Sequence, residues 1–150
     1  MQIKRTKSQL FFLYLSWISA AACMLVIWLL SAQISSQSSE LSGGFIKKLT
    51  ELFNISISQN VIRKTAHALE YAGLCLLFSW SWFNTFRKPQ YSLAFLSAAL
   101  YSSADEIHQY FVPGRACQLR DVYIDCLGAA AGLLCFFVLY KIVNKLYKAR

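Results

Sequence analysis

The sequence predicts an all-α membrane protein: one domain over residues 1–150, a four-helix transmembrane bundle with a short interfacial amphipathic helix between helices 1 and 2. Three observations carry this expectation. Hydrophobic residues make up 57% of the chain and charged residues only 15%, whereas a soluble domain is nearer half apolar and a quarter charged. The apolar excess is gathered into four blocks instead of recurring at a period of two or four. The formal net charge of +8 comes from basic residues that flank those blocks, which suits membrane-flanking positions and argues against a nucleic-acid surface, where basic residues form a stripe.

Each block has its own justification. Leu10 to Leu30 is an apolar run of 21 residues after Lys4, Arg5 and Lys7, long enough to cross the hydrocarbon core. A cleaved signal peptide has a shorter apolar core and a small-residue cleavage site; Ser31-Ala32-Gln33 is a weak one, so a retained anchor over about 10–30 is expected. The polar stretch Ser31 to Gly44 reads as a loop. Phe45, Ile46, Leu49, Leu52 and Phe53 then share a helical face, with Lys47, Lys48 and Glu51 off it. That spacing fits a helix over about 45–53 lying in the interface, or one packed on the other segments. Asn60 or Ser58 can cap the next helix, with a span expected over 63–83. The basic turn Asn84 to Gln90 contains Pro89. The third apolar run, Tyr91 to Ala104, covers roughly 21 Å, short of the ~30 Å core, so its polar end belongs near a bilayer edge, with a span over 91–111. Pro113-Gly114 turns the chain, and Val122 to Tyr140 completes the fourth span.

Four spans put both termini on one side. That side holds nine basic residues and no acidic one, while the other holds six basic residues and all seven acidic ones. Positive charge favours the cytoplasm, so a multi-pass protein of the cell membrane with cytoplasmic N- and C-termini is expected. Of the five cysteines, no two are spaced as CxxC, which argues against a zinc ribbon or thioredoxin motif. Cys117 and Cys126 flank the polar stretch, and a disulfide between them is left open.

The chemistry concentrates between Asp105 and Gly132, joined by the start of the second helix. A charged side chain at the centre of a spanning helix costs roughly 2.5–3.5 kcal/mol on insertion scales, so carboxylates here must lie near an interface, pair with cations, or serve a site. His67 and Glu70 are three apart, as are Asp105 and His108; Asp121 and Asp125 are four apart. Each pair therefore shares a helix face. The expected acid–base groups are His67, Glu70, Asp105 and His108, the expected anion contacts Arg63, Arg115 and Arg120, and the supporting groups Glu106, Gln109, Asp121 and Asp125. Helix N-termini and arginines together favour a phosphate or carboxylate. The two histidines with carboxylates also permit a zinc or iron reading, but HxxE and DxxH are weaker than HExxH, and no metal ligand is assigned. A bare ion-pair network that locks the helices is the structural alternative. Gly128 and Gly132 form GxxxG, which suits close helix packing in a membrane.

Four blocks, SAQISSQSSELSG, RKTAHALEYAGL, ADEIHQYFVPGR and RDVYIDCLGAAAG, resemble the VanZ-like family in order, from Ser31 to Gly132. The family's Asp, then Asn or Asp four later, then Gly, falls here on Asp121, Asp125 and Gly128. Ala116 and Cys117 stand where small residues or Ser are usual. The resemblance implies a small bacterial integral membrane protein, linked in some members to tolerance of glycopeptides such as teicoplanin; it implies no reaction. The expectation is a protein whose extracytoplasmic-facing polar site binds or processes an anionic lipid or lipid-linked cell-envelope precursor. The alternative is a non-catalytic protein that modulates envelope composition or a partner. Cofactors are unknown, nucleic acid is not expected, and a homo-oligomer or a membrane partner stays open.

Overall fold

The computed structural model describes residues 5–32, 58–113 and 118–149. The expected interfacial helix over 45–53, Arg115 and Cys117 lie outside them. The described residues form four helices and no strand: α1 Lys7–Ser31, α2 Gln59–Phe86, α3 Tyr91–Tyr110 and α4 Leu119–Lys148.

Three of the helices outrun the expected spans, because local chemistry lets polar residues join them. Thr6 opens α1 with a capping box: its hydroxyl accepts from the Gln9 amide at 3.3 Å, and the Gln9 side chain accepts from the Thr6 amide at 3.2 Å. The helix therefore starts before Leu10. Ser58, not Asn60, caps α2 by accepting from the Val61 amide at 3.4 Å. Further along α2, Ser79, Ser81, Asn84 and Thr85 each donate to the carbonyl four residues back, so they sit among apolar neighbours without orphaned groups. Arg87 ends α2 in the left-handed region, φ 59°, with its amide on the Phe83 carbonyl at 2.7 Å, and Pro89 follows where a helix cannot resume. In α4, Asp121 lies in the first turn and Lys145 and Lys148 in the last; both signs oppose the helix dipole and carry the helix past its apolar centre.

The helices alternate in direction. Trp17 in α1 donates to Thr85 near the end of α2, so these two run antiparallel. Trp82 of α2 reaches Ser97 of α3, and the Tyr91 ring meets Phe137 of α4, which makes both later pairs antiparallel too. Helices α2 and α4 thus run parallel, and they make the most extensive contact in the molecule, with α2 also touching α1 and α3. The α2–α4 seam is built from small residues. A Cβ on Gly128 would strike the Ala68 carbonyl, and one on Gly132 the Ala72 carbonyl. The GxxxG expectation is therefore met by an AxxxA partner on α2, two elements earlier in the chain, and backbone lies against backbone.

Polar side chains share the interior with an apolar cluster that includes Ile27, Tyr71, Leu74 and Phe78, while large apolar side chains face outward. Buried side chains include Ser16, Ser31, Ser79, Ser81, Asn84, Ser102, Asp105, Glu106, Gln109 and Asp125, while Phe11, Ile18, Leu25, Leu100, Leu127, Leu134 and Val143 are exposed. Extended apolar surface of this kind suits lipid. Among the described residues, α1 and α4 are long and apolar enough to cross a membrane; α2 and α3 carry the polar residues just named.

Candidate functional site

At one end of the bundle the first turns of α2 and α4 stand beside the last turns of α3. The seam of Ala68 on Gly128 draws α2 and α4 together just below this end. This end holds a cavity of about 290 Å³, lined by Asn60, Arg63, Lys64 and His67 of α2, Glu106 and Gln109 of α3, and Gln118, Asp121, Ile124 and Asp125 at the start of α4.

Each carboxylate that lines it has at least one partner. Lys64 Nζ lies 2.8 Å from Asp121 Oδ1, bridging α2 to α4. Glu106, 3% exposed, accepts from the Gln118 amide at 3.0 Å, which puts its charge at the amino end of α4, where the helix dipole favours an anion. Asp125, 2% exposed, accepts from Ser102 of α3 at 2.7 Å. Each of these bonds ties two helices or a helix to its lead-in, so the groups that shape the cavity also hold its walls.

The expected site residues divide into two sets. Arg63, His67, Glu106, Gln109, Asp121 and Asp125 line the cavity. Glu70 stands behind His67, with Oε2 3.5 Å from Nδ1. The other set faces α1. Asp105, 2% exposed, accepts from Ser31 of α1 at 2.6 Å and from Gln109 at 3.1 Å. His108 packs its ring against Trp28 of α1, centroids 5.0 Å apart. Arg120 is exposed and not part of the lining. Between the two sets, Tyr71 is fully buried, and its hydroxyl has no hydrogen-bond partner among the described residues.

Several contributors were not singled out from the sequence. Ser102 is the clearest: with Asp105, Glu106 and Gln109 it makes an i, i+3, i+4, i+7 stripe, and all four are buried. Helical periodicity applied to polar residues would have found it. Lys64 is one of six basic residues on its side of the chain, and nothing local in the sequence pairs it with Asp121. Ser31 carried no local signal, since its partner is 74 residues away.

The cavity offers cations from one wall and carboxylates from the others. Arg63 makes no ion pair or hydrogen bond among the described residues, whereas Lys64 is engaged by Asp121. His67, with a carboxylate behind it, is placed to exchange a proton with whatever occupies the space. Among the described residues no three His, Cys, Asp or Glu side chains converge as a metal centre. Cys126 is a free thiol.

No curated protein and no solved structure matches the chain. A family model does: VanZ/LLP1 aligns over residues 12–140, nearly the whole molecule and all of the cavity. With apolar α1 and α4, an outward apolar surface and this match, the chain is a membrane protein that belongs to the VanZ/LLP1 family.

Proposed function

We propose that the cavity binds the anionic headgroup of a membrane lipid or lipid-linked envelope precursor, on the extracytoplasmic side of a four-span bundle. The single observation that carries this reading is Arg63, a guanidinium on the cavity wall with no partner among the described residues. A guanidinium held in a partly enclosed polar space is a bidentate site for phosphate or carboxylate. The parallel α2 and α4 add their amino ends to the same rim, which favours the same sign of ligand. The depth also fits. The cavity sits at the bundle end opposite Arg5, Arg87 and Lys141, so positive-inside orientation turns it outward. Binding at this place is compatible with membership of a family linked to teicoplanin resistance.

Acid–base work on the ligand would fall to His67 with Glu70 behind it, while Asp105 and His108 serve the contact with α1. The second reading, a structural lock, is favoured by one specific observation: Ser31 to Asp105 and Ser102 to Asp125 are short bonds between helices. The two readings separate by experiment. Purified full-length protein in nanodiscs is titrated with phosphatidylglycerol, and binding is followed by native mass spectrometry. Arg63→Gln is expected to weaken binding at least tenfold while the unfolding midpoint stays within error. An unchanged affinity refutes the headgroup site and leaves the lock.

A further inference from the structure

The cavity presents two unlike contacts, and together they narrow the ligand beyond its charge. On α2 stands Arg63, with its hydrogen-bonding capacity unspent among the described residues. On α4 stands Asp125, which lines the same cavity. Only its Oδ2 is engaged, by Ser102 at 2.7 Å; Oδ1 takes no bond from any described residue. The residue as a whole is 2% exposed and lines the cavity, so a donor for Oδ1 can come from a group bound there. The other two lining carboxylates each have a partner, Glu106 the Gln118 amide and Asp121 the Lys64 ammonium.

A bare anion fits this pair badly. It satisfies Arg63 but brings no donor to Asp125. A neutral polyol satisfies Asp125 and leaves the guanidinium unused. A phosphate ester that carries its own hydroxyl or ammonium satisfies both at once. The cavity of about 290 Å³ is large enough to admit a glycerol phosphate or ethanolamine phosphate headgroup. We infer that the ligand is a phosphodiester headgroup bearing an O–H or N–H donor, with its phosphate on Arg63 and its donor on Asp125. This rests on the anion site proposed above.

The test compares lipids of equal charge that differ only in the donor. Full-length protein in nanodiscs is titrated with phosphatidylglycerol against phosphatidylmethanol, and with phosphatidylethanolamine against phosphatidylcholine. The donor-bearing lipid of each pair is expected to bind about tenfold more tightly, the effect of one hydrogen bond to a charged group. Asp125→Asn is expected to bring both ratios close to one while keeping phosphate binding, and Arg63→Gln to weaken all four lipids. Free glycerol phosphate against methyl phosphate repeats the comparison without acyl chains. A preference retained there identifies a soluble ester as sufficient, one confined to lipids identifies a membrane ligand, and both support two-point recognition. Equal binding of donor-bearing and donor-free lipids overturns this inference and leaves the anion site standing. Absence of binding by all four removes both. A preference that survives Asp125→Asn assigns the acceptor elsewhere and sinks the role given to Asp125.

Discussion

Replacing Gly128 by alanine places a methyl group in space already held by the α2 backbone. Its Cβ would lie 2.7 Å from the Ala68 carbonyl carbon and 2.8 Å from the Ala68 Cα, where ordinary contact begins near 3.4 Å. The obstacle is main chain, so no rotamer change relieves it. The helices must part by about 1 Å, and a gap of that size forfeits a quarter to a half of each dispersion contact along the seam. Overpacking of this kind costs about 1–3 kcal/mol, and within a bilayer no hydrophobic gain between helices offsets it. The assay is unfolding of the purified protein in mixed micelles, driven by SDS and followed by circular dichroism. Gly73→Ala is the matched control: a Cβ there meets nothing within 4 Å, so better helix propensity leaves it neutral or more stable by up to about 1 kcal/mol. Ala68→Gly should not rescue Gly128→Ala, since it removes a side chain and leaves the carbonyl in place. Equal stability of Gly128→Ala and wild type, or rescue by Ala68→Gly, would refute backbone contact as the basis of the seam.

Ser102→Ala removes the donor to buried Asp125 and should cost about 1–3 kcal/mol in the same unfolding assay, with Ser102→Thr closer to wild type. Lys64→Met should cost at most about 1 kcal/mol, because Lys64 and Asp121 are 32% and 30% exposed and a partly solvated pair is worth little; 0.5 M salt should shrink the difference further. Ser58→Ala removes the α2 cap and should lower stability by about 0.5–1 kcal/mol, the small end of the range because the bond is 3.4 Å long. A fluorescent reporter that matures only in the cytoplasm, fused after Arg150, should be bright; a dark fusion beside an active external phosphatase fusion would reverse the proposed orientation of the cavity.

Local chemistry was legible in the chain itself. The all-α class, the four helices in order and a break before Tyr91 follow from apolar block length and turn residues, because these depend on a few neighbouring side chains; the expected turn from Asn84 starts too early, since Asn84 to Phe86 stay in α2. GxxxG announced a close contact for the same reason. The polar end of the bundle was also readable, since Asp105, Asp121 and Arg63 all fall at helix ends.

What the sequence left undetermined was which way each polar side chain turns. Asp105 and His108 share a face, and so do Glu106 and Gln109, and nothing local says which face meets the cavity. The position of α1 decides it: Ser31 and Trp28 take Asp105 and His108, and Glu106 with Gln109 is left to face α2 and α4. Neighbouring residues on a helix point about 100° apart, so a single residue separates a group in the cavity from one against α1. Partners such as Ser31 and Asp105 stand 74 residues apart in the chain, and only the packing of whole helices brings them within a hydrogen bond.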